Sequence, residues 1–186
     1  MKLGLIVSLV CLAVDTCQVA PPPTTGYLPP DAFEATAQGQ DPALAAVQEA
    51  MYAFAYPGRM QGRPAEMALA VASLDAMAGQ FSTSGRWYGM SWIPQQEMLD
   101  ARTEVRGILG IPDSAPSQLV IDQLMAASRA LNNDDQKAAL AALSGPAFTK
   151  PPEQTLSILA HFPPAPIANQ ATMAASMNFF PPDEPW

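Results

Sequence analysis

Cysteine and histidine are nearly missing: two of one and one of the other in 186 residues. Both cysteines, Cys11 and Cys17, fall within the first seventeen positions. The rest of the chain can therefore form no disulfide, thiol nucleophile or cysteine-based metal site. His161 stands alone, which excludes a His-based metal cluster. Its place one residue before the end of an expected helix sets it beside C-terminal carbonyls, and no G-x-S-x-G elbow presents a serine to it. Positive charge is also scarce, with 9 Lys and Arg against 17 Asp and Glu and a net charge of −8. No basic cluster is available to neutralise phosphates, so nucleic acid is not an expected partner. No phosphate-cradling glycine loop, haem-attachment motif, zinc spacing or nucleotide fingerprint occurs, and no cofactor or metal is expected.

Strand signals are equally thin. Beyond the N-terminus there is no Asn-Gly or Asp-Gly hairpin turn and no sustained alternation of apolar and polar residues. What is present is helical periodicity. Asp41-Pro42 supplies an N-cap and a proline at the first helical position. Leu44, Val47, Met51 and Phe54 then recur as one stripe until Tyr56-Pro57-Gly58. A second helix starts at Pro64 with a stripe of Met67, Val71, Leu74, Ala78 and Phe81. A third runs from Pro94 to Leu109, with Met98, Ala101, Val105 and Ile108 inward, and Gly110 and Pro112 end it. Residues 113–133 give a fourth, with Ile121, Leu124, Met125, Ser128 and Leu131 on one side. Asn133 opens a fifth through an Asn-x-x-Gln capping box that ends at Gly145-Pro146. Residues 151–162 make a sixth helix and 169–180 a seventh. The expectation is an all-α compact bundle of about five to seven helices over 41–186, with an irregular proline-rich C-terminal tail. A body of that size buries a core without metal or disulfide.

The one long apolar stretch is "LGLIVSLVCLAV", residues 3–14, behind Lys2. Twelve residues suit the apolar region of a signal peptide and are too few to span a bilayer. Cutting after Ala20 as an ordinary secretory leader would set Gln18 and Pro21 at unfavourable positions. The segment "LAVDTC", residues 12–17, resembles a bacterial lipobox. Val14 fits the pattern, while Asp15 and Thr16 depart from the small uncharged residues usual there. The resemblance covers the leader alone. It implies removal of a signal peptide, 1–16, and a diacylglycerol anchor on Cys17, and hence a membrane partner and an exported, cell-envelope location, at a lipid-anchored membrane face or in the periplasm. Gln18 after the cysteine implies sorting to an outer membrane. Residues 17–40 carry five prolines and two glycines and read as a tether, able to reach about 60 Å over twenty residues at ~3.1 Å each.

The candidate binding residues lie in "FSTSGRWYGMSW", residues 81–92. Arg86, Trp87, Tyr88 and Trp92 offer aromatic faces beside a guanidinium, suited to a sugar, a peptide or a peptidoglycan fragment. The same rings also suit a plug for one end of an alanine-rich bundle, and the sequence leaves both open. Glu97, Asp100 and Glu104 share a helix with Arg102 and Arg106 and read as a solvated face, its acid repulsion relieved by the arginines. Met173 and Met177 read as core filler rather than as a soft-metal pair. The functional expectation is a non-enzymatic cell-envelope lipoprotein that binds an envelope protein or glycan. The alternatives are a small secreted hydrolase acting on cell-wall or glycan material through carboxylates near the 86–92 loop, and a structural or assembly factor without ligand.

Overall fold

A computed structural model describes residues 24–33, 39–87 and 90–179. Among these the chain forms seven α-helices and no strand. They are α1 (Pro42–Ala55), α2 (Pro64–Thr83), α3 (Trp92–Leu109), α4 (Ser117–Asn132), α5 (Gln136–Leu143), α6 (Pro152–Ala160) and α7 (Pro166–Phe179). This is the expected all-α bundle. None of the described helices is long and apolar enough to cross a membrane.

The helix starts follow local chemistry. The Asp41 side chain accepts from Ala43 N at 2.9 Å and proline occupies the first turn of α1. At the end of α3, Gly110 adopts a left-handed φ of 73°. Ile111 N then reaches Arg106 O and Gly110 N reaches Gly107 O, closing a Schellman turn. The Lys150 ammonium donates to Ile108 O at the same helix end, where a cation meets the negative pole of the helix. One cap differs from expectation. Asp135, not Asn133, caps α5 by accepting from Ala138 N at 2.9 Å. Asn133 instead ends α4, and Asp134 turns the chain between them with a φ of 57°. The left-handed residue consumes the spacing that the capping box required.

α2 is the axis of the bundle. Its residues from Met67 to Gly79 are buried on every side, so it has no solvent stripe of the kind its apolar spacing suggested. α1, α3, α4 and α6 pack around it, α7 covers α1 and α3, and α5 bridges α4 and α6. Alanine makes this possible. Ala68, Ala70, Ala72, Ala76 and Ala78 are each at most 1% exposed, and small side chains let neighbouring helices approach closely at native packing density. Similarly α1 turns Ala46, Ala50 and Ala53 inward beside Val47 and Phe54, while Leu44 and Met51 sit at the edge of its buried face.

Two charged residues inside this apolar core need partners. Asp75 of α2 and Arg106 of α3 are each 2% exposed in their side chains. Arg106 Nε donates to Asp75 Oδ2 at 2.7 Å and Nη2 to Oδ1 at 2.9 Å, a two-point pairing. Nη2 also donates to Ser117 Oγ at 2.9 Å, and Nη1 to the carbonyls of Asp113 at 3.1 Å and Ala115 at 2.9 Å. The expected solvated face of α3 is thereby corrected. Arg106 points into the core toward an acid 31 positions earlier, and Arg102 is partly buried, its guanidinium pushed below its ordinary range first by burial.

Residues 24–33, within the stretch read as a tether, are packed against the bundle. Thr25 is 4% exposed and Phe33 is 7%. Thr24 O accepts from Arg102 Nη1 at 2.8 Å and from Ser117 Oγ at 3.0 Å. Gln80 Nε2 donates to Gly26 O at 2.8 Å, and Gln118 bonds both the N–H and the carbonyl of Tyr27. The fit requires Gly79, where a methyl group would collide with the Thr24 carbonyl oxygen. Cys17 lies outside the described residues.

Replacing Asp75 with Asn strands a buried guanidinium charge and should cost about 3–5 kcal/mol in urea unfolding. Arg106→Met together with Asp75→Leu should not restore wild-type stability, because the Asp113 and Ala115 carbonyls lose their donor. Full restoration would mean that the ion pair is all the guanidinium supplies. Gly79→Ala should cost about 1–3 kcal/mol by overpacking and speed proteolytic cleavage within 24–33; unchanged protection of that segment would refute the close approach.

Candidate functional site

The loop between α2 and α3 begins with a 3₁₀ turn at Gly85–Trp87. Here the structure separates residues that the sequence grouped. Trp87 packs its ring against Phe81, with centroids 4.9 Å apart, and so joins the edge of the core. Arg86 lies over the same indole, its guanidinium carbon 5.2 Å from the ring centroid. Trp92 is on the first turn of α3 and is 72% exposed, beside Ile93 at 50%. Tyr88 lies outside the described residues. Of the two roles open for the aromatics, Trp87 combines core packing with a half-exposed edge, and Trp92 packs into no core at all.

Arg86 is held by a second element. Its guanidinium donates to Asp41 Oδ2 while the other Asp41 oxygen caps α1 through Ala43 N. One carboxylate thus joins the start of α1 to the 84–91 loop. Arg86 and, after it, the backbone donors of α1 hold the Asp41 carboxyl below its ordinary value of 3.8. Beside this pair opens a groove of about 170 Å³ walled by Tyr27, Leu28, Pro42, Arg86 and Trp87, with Ala46 and Met77 among its lining. Tyr27 and Leu28 belong to the leading segment, whose contribution could not be read from a stretch rich in proline and glycine. Small-molecule pockets usually hold ~300–1,000 Å³, so a groove of this size accepts one side chain or one ring of something larger.

The acidic residues of α3 are occupied elsewhere. Glu104 Oε2 accepts from Ala168 N at 2.8 Å, capping the first turn of α7. Glu97 Oε1 accepts from Gln170 Nε2 at 3.2 Å, and Asp100 Oδ1 from Gln96 Nε2 at 2.9 Å. The Glu104 and Glu97 bonds tie α3 to α7, the Asp100 bond stays within α3, and each of these three carboxylates is engaged by a donor. His161 caps α6 through its backbone N–H to Ser157 O, and its side chain is exposed. Among the described residues no three His, Cys, Asp or Glu side chains are grouped as a metal would need. Met173 and Met177, expected inside the core, are 42% and 58% exposed on α7, because α1 and α3 cover the opposite side of that helix.

No family model, curated protein or solved structure matches this chain.

Asp41→Ala removes a helix cap and the anchor of Arg86, and should destabilise by about 1 kcal/mol at pH 7. Because the folded-state pKa of Asp41 is lowered, its contribution is present above the ordinary value of 3.8 and is lost as the pH falls through the folded value. The gap between wild type and Asp41→Ala in urea unfolding should therefore narrow below that pH. A gap that stays constant into acid would exclude the ionised carboxylate as its source.

Proposed function

We propose that this chain is an exported, lipid-anchored cell-envelope domain that carries out no chemistry of its own and holds an envelope protein through the groove beside Arg86 and Trp87. The observation that carries the reading is the guanidinium fixed by Asp41 over the Trp87 indole at the lip of a small apolar groove. Arginine and aromatic residues held rigid around a pocket are the usual energetic centre of a protein interface. The groove takes a single anchoring side chain, and exposed Trp92 and Ile93 extend apolar surface along the chain from the same loop. The geometry favours protein over glycan at this place. The Trp87 ring is already engaged by Phe81 and by Arg86, which favours a side chain entering the groove over a sugar ring stacked on this indole.

The anchoring half of the proposal rests on the leader, "LAVDTC" with Cys17. The intact mass of mature protein from the membrane fraction should correspond to a chain starting at Cys17 plus a diacylglyceryl group; a lipid-free chain starting elsewhere would remove the anchor. For the groove, a photo-crosslinking amino acid placed at Ala43 or Ile93 in the native-type host should give a discrete protein adduct, and one at exposed Lys137 should not. Arg86→Ala should lower that adduct yield about tenfold, in line with the loss of a hot-spot side chain, while changing stability by less than about 1 kcal/mol as expected of an exposed pair. Equal adducts at all three positions would end the interface reading. Saturable quenching of tryptophan emission by soluble peptidoglycan fragments, lost in Arg86→Ala, would transfer the site to glycan.

A further inference from the structure

A second cleft opens beside the N-terminus of α2, between α1, α4 and residues 31–32. Its volume is about 660 Å³, within the usual range for a small ligand or a long side chain. Leu69 and Met125, 9% and 4% exposed, form an apolar floor. Five charged side chains surround it, and their arithmetic is uneven. Arg63 pairs with Glu66 at 2.5 Å, and Arg129 pairs with Asp31 at 2.5 Å. Glu49 of α1 also lines the cleft and has no hydrogen bond or ion pair with any described residue. Three carboxylates thus face two guanidiniums, and the charge left over is on the half-buried member of the set.

We infer that this cleft binds an alkylammonium group, its positive end on Glu49 and its apolar stem over Leu69 and Met125. The cation supplies the single charge that the protein does not. An ammonium carries three donors, which Glu49 can share with the nearby Glu66 carboxylate. The two existing ion pairs do not block entry. Their side chains are 38–49% exposed, and exposed pairs are worth only about 0–1 kcal/mol, so they rearrange at little cost. The environment of Glu49 agrees with a missing partner. Burial first, and the charge of Glu66 second, raise its carboxyl above the ordinary value of 4.5, with Arg63 opposing. The groups facing it are Glu66 and Arg63 from the start of α2, Arg129 from α4 and Asp31 from the leading segment; none of these places a cation in contact with it. The site is separate from the Arg86 groove and does not depend on it.

The chemistry admits two sources, a free aliphatic amine or the lysine side chain of another protein. The test uses the full-length mature protein with methyl-labelled methionine, titrated with n-pentylamine, with the blocked tripeptide acetyl-Ala-Lys-Ala-amide, and with n-pentanol as the uncharged stem. A saturable shift of the Met125 methyl is expected with one or both amines, at least about tenfold weaker with pentanol and in Glu49→Gln, the loss expected for a hydrogen bond to a charged group. Stronger binding of the tripeptide identifies a protein lysine as the source, and stronger binding of pentylamine a free amine. Equal binding of pentanol and pentylamine, or equal affinity in Glu49→Gln, overturns the proposal, as does no saturable shift with either amine. Unfolding of the variant does not confuse the outcome. A raised carboxyl pKa in the folded state means that stability is lost as pH rises through it, so Glu49→Gln should melt no lower than wild type at pH 7.

Discussion

The Arg106 guanidinium is the joint on which the bundle closes. It ties α3 to α2 through Asp75, holds the 110–116 connection through backbone carbonyls, and meets the start of α4 at Ser117. Ser117 in turn donates to Thr24 O, so one buried charge orders four parts of the chain. A buried ion pair is poor evidence of net stability, since removing two ions from water costs about as much as their attraction returns. Its effect is on arrangement. An apolar axis built from alanine and a few large side chains has many nearly equivalent rotations about α2, and only one of them gives every Arg106 donor an acceptor.

That dependence explains which parts of the fold were legible in the sequence. Helix ends were, because caps and stops are local: Asp41-Pro42 starts α1, Gly110 ends α3 and Gly145-Pro146 follows α5. Helical faces were legible only in part. The period of apolar residues in α2 is real, but a helix surrounded on all sides buries its alanines too, and alanine is neutral in any such pattern. Arg106 was misread for the same kind of reason. Its spacing to Arg102 and the acids of α3 is that of a solvated charged face, while the partner that draws it inward lies on another helix. Pattern reading within one helix has no access to a partner set by the packing of two.

The leading segment shows the same limit more sharply. Proline and glycine between 21 and 30 describe a chain that forms no helix, and composition alone cannot distinguish loose from docked. Docking depends on acceptors in the segment meeting donors on three helices: Gln80 on α2, Arg102 on α3, Ser117 and Gln118 on α4. Each of those four side chains is unremarkable where it stands. Together they give the Thr24, Gly26 and Tyr27 carbonyls of this strap, which would otherwise bond water, partners on the protein.

The strap builds both surface sites. Tyr27 and Leu28 wall the groove beside Arg86, and Asp31 with Ala32 closes the cleft beside Glu49. The segment next to the proposed anchor is thus the one that shapes where a ligand would sit. This also shortens the reach available to a lipid-anchored chain. With Thr24 held on the bundle, the residues from Cys17 to Thr24 span at most about 25 Å at ~3.5 Å each, against about 60 Å for a free twenty-residue tether in polyproline form. On the proposed anchor at Cys17, so short a lead would keep the bundle next to its membrane, where it would meet whatever else projects no farther than the bundle does. Among the described residues the strap joins the centre of the fold at Thr24, whose carbonyl accepts from Ser117 and Arg102, and Ser117 in turn accepts from Arg106 of the buried pair.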